Sequence, residues 1–329
     1  MATTTGNTDA SDEGGISGWA KRVIANPEGL YRSLFYAAMV FFLVTTLFPF
    51  YWLAVLAVTP EGNLLAGSFL PQLGGFTIPL PTPKGFNPEA FITVFEQVPF
   101  HLYMLNSFAL AVTTTIIVLI VASLAGYVFG RLRFPGRALL MLGILAISYF
   151  PPAAFVIPLF KAFAGNEPLL LPFTQIPLFT PPRLLNTPGS MILPFSALFM
   201  PLSIFILTTF YGQIPDGLED AARVEGTTRL GALFRVIMPL SAPGVATASV
   251  LTFIAVYNEY FFSSIMATSP EAAKWSPIVG GILSYQTQYT TQYNLMAAAS
   301  IVGVLPVVIL VVVAQERIVS GLTSGALKE

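Results

Sequence analysis

Six apolar stretches, each about as long as a bilayer's hydrocarbon core is thick, constrain this chain more than any other feature. Crossing that core takes about 20 apolar residues in a helix. The segments 34–58, 106–130, 138–160, 190–211, 244–266 and 294–318 meet the requirement. They predict an all-α integral membrane protein with six transmembrane helices, its membrane domain running over 34–329. Composition agrees, because only 9% of residues are charged where a soluble domain carries about 25%. A net charge of −1 gives no electrostatic footprint for nucleic acid, so no nucleic-acid partner is expected. The absence of cysteine excludes disulfides, thiolate metal sites and Cys nucleophiles. One histidine, His101, is too few for a histidine metal site, and no cofactor or metal is expected in this chain. Without a Gly-Lys pair there is no phosphate-binding GxxxxGK[ST] loop, so an ATP-driven step needs another polypeptide to bind the nucleotide.

The positive charges set the expected orientation. Lys21, Arg22 and Arg32 precede the first span. Arg131, Arg133 and Arg137 lie between the second and third. Arg223, Arg229 and Arg235 lie between the fourth and fifth, and Arg317 and Lys328 follow the sixth. With alternating topology all of these fall on one side, and Lys84, Lys161, Arg183 and Lys274 fall on the other. The positive-inside rule makes the first side cytoplasmic. The expectation is a multi-pass protein of the cell (plasma or inner) membrane with both termini in the cytoplasm. Residues 1–15 read as a disordered polar tail. Residues 16–33, with Trp19, Tyr31 and flanking cations, read as a cytoplasmic interfacial segment at headgroup level or as a plain basic flank. Pro151, Pro152 and Pro158 in the third span, and Pro194 and Pro201 in the fourth, predict kinks or breaks. Breaks at membrane depth are tolerated only where protein or a watery cavity satisfies the freed backbone groups, which favours a translocation path. The outward connections 59–105, 161–189 and 267–293 are too small for a receptor domain, though a short surface helix is expected over 88–98.

One polar insert stands out on the cytoplasmic side, PDGLEDAARVEGTTRLGALFRVIMPLSAP over 215–243. Asp216, followed three residues later by Glu219, predicts a capping box at a helix start. Gly226 is a natural stop in the left-handed conformation, and Thr227 or Thr228 can cap a second helix. Leu230, Leu233, Phe234, Ile237 and Met238 recur at helical spacing as an apolar face that ends at Pro239. Ala221 and Ala222 give the first helix a low profile, and Asp220, Arg223 and Glu225 offer charges to a partner. Periodicity alone is equally compatible with an ordinary helical hairpin that has a solvated face.

Asp220-Ala221-Ala222, Gly226 and the following Ile237-Met238-Pro239-Leu240 resemble the EAA signature of ABC importer permeases. Asp220 stands where that family has Glu, and Glu225 where it has Asp. NSFALAVTTT, GRLRFPGR, LLNTPGSMILPF, YNEYFF and the closing GLTSGALKE are similar to the maltose-type (carbohydrate) branch. Segment 164–183 looks like an insertion relative to that branch. The resemblance implies a coupling-helix loop between spans 4 and 5, made by Glu219, Asp220, Ala221, Ala222, Arg223, Glu225, Gly226 and Pro239. It implies a second related permease as heterodimer partner, two ATP-binding cassette ATPase subunits that bind the ATP, and an extracytoplasmic solute-binding protein. The implied cargo is a mono- or oligosaccharide, or a glycerol-phosphate-type solute. The chain itself is then not an enzyme, and its remaining contacts are with membrane lipid.

Asn258 and Glu259 lie inside the fifth apolar stretch, where a carboxyl is costly unless paired. With Tyr257 they are candidates for the translocation path or the permease seam, and the alternative is a structural hydrogen bond near the span's outer end. Tyr257, Tyr260 and Phe261 can stack on sugar rings or form an interfacial belt. His101 reads as a surface or cap residue. Arg131, Arg133 and Arg137 read as topology determinants and headgroup contacts, with an ATPase contact as the other option. A single-chain secondary, ion-coupled transporter is the competing class. Against it stand the lack of internal repeats and of paired intramembrane charges.

Overall fold

The computed structural model describes residues 27–165, 168–171 and 173–326. The expected tail over 1–15 and residues 16–26 of the interfacial segment lie outside the described residues. The described chain is mostly helical. In order, the helices are α1 (Pro27–Val58), α2 (Glu61–Leu64), α3 (Ala90–Gln97), α4 (Phe100–Arg131), α5 (Arg137–Ser148), α6 (Ala153–Ala164), α7 (Gly189–Gly212) and α8 (Asp216–Val224). Then come α9 (Arg229–Leu240), α10 (Ala242–Tyr257), α11 (Phe261–Met266), α12 (Ile278–Leu283) and α13 (Tyr293–Ala326). Among the described residues, strand is confined to two small antiparallel hairpins, β1 (Gln72–Leu73) with β2 (Phe76–Thr77) and β3 (Leu169–Leu170) with β4 (Pro177–Phe179). Contacts divide the chain into two units at Val55, and everything from Leu56 onward forms the second.

Four helices are each long and apolar enough to cross a bilayer: α1, α4, α7 and α13. The third predicted span is two helices, α5 and α6, bent by 82° at the Ser148–Ala153 break. This is the break that Pro151 and Pro152 predict. A second bent pair, α9 and α10, turns by 84°. Among the described residues the span count is therefore four, or up to six if each bent pair is one span.

Residues 27–33, the end of the expected interfacial segment, are the first two turns of α1. Two expectations need correction. Pro194 and Pro201 do not break the fourth span, and α7 runs through both as one helix. Both prolines are buried, so packing against neighbouring helices offsets the loss of about 3 kcal/mol that a proline costs an unsupported helix. The fifth stretch, expected as one span over 244–266, ends at Tyr257 and restarts as α11.

The core sits where α4, α7, α9 and α10 meet. Ala122, Tyr127 and Phe129 of α4, Ile204, Leu207 and Tyr211 of α7, Leu233 and Ile237 of α9, and Ala248 of α10 form one buried cluster. α4 and α7 approach closely because Gly126 and Gly130 have no side chain. A Cβ on Gly126 would come within 2.9 Å of Leu207 Cβ, and one on Gly130 within 3.0 Å of the Thr208 carbonyl oxygen. Small residues four apart are a general means of bringing membrane helices together. Buried hydroxyls add cross-links, with Tyr211 donating to Ser123 Oγ at 3.2 Å and Ser203 Oγ lying 3.0 Å from Thr252 Oγ1.

The opposite end of α4 holds the 267–293 connection. Tyr103 donates its hydroxyl to the Pro270 carbonyl at 2.7 Å. Asn106 Nδ2 donates to the carbonyls of Ala272 at 2.8 Å and Ser276 at 2.9 Å. Ser107 Oγ accepts from the Ile278 amide at 2.8 Å. The predicted surface helix is present as α3, fixed by the Tyr285 hydroxyl, which donates to the Val94 carbonyl at 2.5 Å.

Candidate coupling site

The 215–243 insert folds as two helices joined at a glycine. α8 ends at Val224, and Gly226 takes φ +91°, a conformation that a Cβ would strain. Thr228 caps α9, its Oγ1 accepting from the Gly231 amide at 3.1 Å. α9 contains a π-helical stretch over Leu233–Ile237 and turns Leu233 and Ile237 fully into the core. Leu230 and Phe234 stay exposed, so only half of the predicted apolar face is covered within this chain.

The capping box does not form. Pro215 occupies the cap position of α8 and no side chain caps its amides. The carboxylates of Asp216 and Glu219 go elsewhere, to Arg131, the last residue of α4. Arg131 Nε donates to Glu219 Oε2 at 2.9 Å. Its Nη1 donates to the Ile214 carbonyl at 2.5 Å and lies 3.0 Å from Asp216 Oδ1. Tyr127, one turn back on α4, donates its hydroxyl to Glu219 Oε1 at 2.5 Å. The Arg131 side chain is 4% exposed and that of Glu219 10%. Arg131 is thus buried in an ion-pair network rather than lying at the headgroups.

Burial alone would raise the Glu219 pKa. The hydrogen bonds from Tyr127 and Arg131, and the charges of Arg131 and Arg223, outweigh burial and hold the carboxyl below its ordinary value. Glu219 is therefore a committed anion facing inward.

Its neighbours on α8 face outward. Asp220, Ala221, Arg223, Val224 and Glu225 are exposed, Ala222 is half-buried, and Gly226 and Pro239 are exposed. Val224 is 88% exposed. Arg223 and Asp220 lie 3.7 Å apart as a loose surface pair. The predicted loop residues thus divide between an inward anchor and an outward face of small, charged and apolar side chains.

The other predicted cluster lies at the α10–α11 break. Tyr257 is buried, stacked on Phe253, and donates its hydroxyl to the Gly303 carbonyl of α13 at 2.9 Å. Asn258 is exposed and donates to the Ile254 carbonyl at 3.0 Å. Glu259 accepts from the Phe262 amide at 2.9 Å, the Ser263 amide at 3.0 Å and Ser263 Oγ at 3.1 Å. Glu259 therefore starts α11 in the manner of an N-cap. A cavity of about 450 Å³ lies between α5, α6, α7 and Phe262; its walls are apolar, with Phe150, Phe155, Leu193 and Pro201 among them. Tyr257, Asn258 and Glu259 are not among its lining residues. No group of three metal-capable side chains occurs among the described residues.

Comparison with known proteins places this geometry in a family. Residues 122–323 match the family described as binding-protein-dependent transport system inner membrane component. The chain is 33% identical over 302 residues to the sulfoquinovosyl glycerol transport system permease protein of Agrobacterium fabrum, covering 90% of this chain and 94% of that protein. It is 32% identical over 282 residues to the trehalose transport system permease protein of Mycobacterium tuberculosis, covering 86% and 92%. To the trehalose/maltose transport system permease protein of Thermococcus litoralis it is 31% identical over 304 residues, covering 92% and 98%. Its fold is similar to that of a chain in a bacterial ABC transporter involved in alginate import, with TM-score 0.68 and 17% identity, covering 88% and 97%. The chain belongs to the binding-protein-dependent transport system inner membrane components, and it is a multi-pass membrane permease of the ABC importer type.

Proposed function

We propose that this permease imports a carbohydrate and is driven through the outward face of α8 by a separate ATPase. The observation that carries the reading is the division of labour on α8. Glu219 is fixed inward on Arg131 and Tyr127, while Asp220, Ala221, Arg223, Val224 and Glu225 are presented outward. A short helix held from behind, with alanines and an exposed valine in front, suits a cleft in another protein. Asp220, not Glu219, is the carboxylate that meets the ATPase in this reading, because Glu219 is already engaged. By alternating topology and the share of Lys and Arg, the side that carries the 215–243 insert is cytoplasmic in this reading, and both termini fall on it. The functional assembly is this chain, a second related permease, two ATPase subunits and an external solute-binding protein. Each bent helix pair accompanies a membrane crossing, which gives six spans. The sugar assignment rests on the relatives, whose names specify trehalose, maltose and a sulfoquinovose glycoside.

Closure of the ATPase dimer would displace α8 and bias the bundle between two arrangements, since a docked rigid element shifts an equilibrium by its differential fit. The test is co-purification and uptake with Ala222→Asp and Gly226→Pro. The first places a charge at the low-profile face. The second forces φ +91° toward about −65°. Both variants should insert in the membrane yet lose the ATPase and sugar uptake. Normal ATPase recovery with both would overturn the docking role.

A further inference from the structure

Two joints flank α8. On one side the chain leaves α7 through Gln213, Ile214 and Pro215. On the other it turns at Gly226, in the left-handed region at φ +91°. A nine-residue helix between a proline elbow and a glycine turn has little stiffness of its own, and its first turn carries no side-chain cap. Displaced by a partner, it would pivot rather than push.

Arg131 removes that freedom. Its guanidinium binds the carbonyl of Ile214 in the elbow, Asp216 in the first turn of α8 and Glu219 one turn later. Three contacts from one planar fork fix position and direction together, which a flexible ammonium could not do. Tyr127 adds a fourth contact from the same helix, to the second oxygen of Glu219. The partner in each of these four polar contacts is α4, not the helix that leads covalently into α8, although α8 also packs against α9.

α4 runs unbroken from the contact with α8 to the 267–293 connection. Its 32 residues span about 48 Å at 1.5 Å per residue. At its opposite end Tyr103, Asn106 and Ser107 hold the backbone of residues 270–278 through Pro270, Ala272, Ser276 and Ile278. One helix therefore grips α8 at its last turn and the far connection at its first.

We propose that Arg131 is a positioning residue that makes α8 and α4 move as one body, so that displacement of α8 reaches the 270–278 connection along α4. This rests on α8 being the ATPase contact. It adds that transmission runs through a buried contact between helices distant in sequence, and that Arg131 acts without touching sugar, nucleotide or ATPase.

The test uses the complete reconstituted transporter with Arg131→Gln, Arg131→Lys and, as a docking control, Ala222→Asp. Three quantities are read: ATPase recovered with the permease, hydrolysis stimulated by sugar-loaded binding protein, and uptake per ATP. Arg131→Gln should retain the ATPase while stimulation and uptake per ATP fall about tenfold or more, as expected when a charged, multiply bonded contact is lost. Arg131→Lys should restore part of both, because the charge returns without the fork. A merely stabilising role would lower the amount of complex and leave uptake per ATP unchanged, which would overturn the proposal. Loss of the ATPase in Arg131→Gln would also overturn it, by making Arg131 part of the docking surface. If Arg131→Gln does not accumulate, the Tyr127→Phe/Glu219→Gln double variant carries the same test with the same opposing outcomes. Should Ala222→Asp keep its ATPase, the docking reading fails by itself; should it lose the ATPase while Arg131→Gln transports normally, only the α4 route fails.

Discussion

Glu219 and Glu259 are both carboxylates whose oxygens accept several hydrogen bonds, yet their partners could hardly differ more. Glu219 bonds to Tyr127 and Arg131, 92 and 88 residues away in sequence. Glu259 bonds to the amides of Phe262 and Ser263 and to the Ser263 hydroxyl, three and four residues on. The first ties two helices together. The second organises the start of the helix that follows it. An acidic residue near a membrane span marks a place that needs explaining, but the sequence separation of its partners tells whether it links elements or caps one.

The comparison is broken most forcefully at Arg131. Replacing it with Gln leaves Glu219 facing inward without its cation, and loss of one member of a buried pair costs about 3–5 kcal/mol. Hydrogen exchange over 214–226 should accelerate sharply, while 258–266 stays as it was. Unchanged exchange over 214–226 would mean that the network does not hold α8.

Glu219→Gln should have a smaller effect in the same place, because the amide oxygen still accepts from Tyr127 or Arg131. A lost charged hydrogen bond is worth about 1.5–3 kcal/mol. The pH dependence gives the sign independently. The folded pKa of Glu219 lies below its ordinary value despite burial, owing to Tyr127, Arg131 and the nearby Arg223. Such a group stabilises the folded site above the ordinary carboxylate pKa, and that contribution is lost as pH falls through the depressed value. Protection of α8 should therefore hold from neutral pH down to about pH 5 and decline in stronger acid, below about pH 4. Glu219→Gln should flatten the profile, and an acid decline of equal size in that variant would assign it to another group.

Glu259→Gln should cost about 0.5–2 kcal/mol, the range for a weakened cap. It should loosen α11 and lower transport without releasing the ATPase or altering exchange in α8. Loss of assembly would move Glu259 from a capping role to an interface. Tyr127→Phe is the mildest change, about 0.5–1.5 kcal/mol for one hydrogen bond, and should sharpen the contrast by perturbing α8 alone.

What could be read from the sequence follows the same division between local and distant. Gly226 and Thr228 declare a turn and a cap through their own backbone chemistry, and both act as expected. Pro151 and Pro152 mark a break that is present. Pro194 and Pro201 carry the same local signal, but burial of both within α7 overrides it. The α10–α11 break had no glycine or proline to announce it. Asn258 and Glu259 make it by turning their side chains onto nearby backbone groups, which polar residues do in competition with a helix. The capping box failed because Asp216 and Glu219 had a stronger partner. That partner depends on where the last turn of α4 falls against α8, which no spacing within 215–243 encodes. A faint signal existed: two carboxylates three residues apart share a helix face, and Arg131 closes an apolar span at the same end of the chain's topology.

The most direct measurement of the central claim is sugar uptake into proteoliposomes holding this permease, with its partner permease and solute-binding protein, with and without the ATPase and ATP. The account predicts uptake only when the ATPase and hydrolysable ATP are both present. Uptake by the permease under an ion gradient, with no ATPase in the membrane, would contradict it.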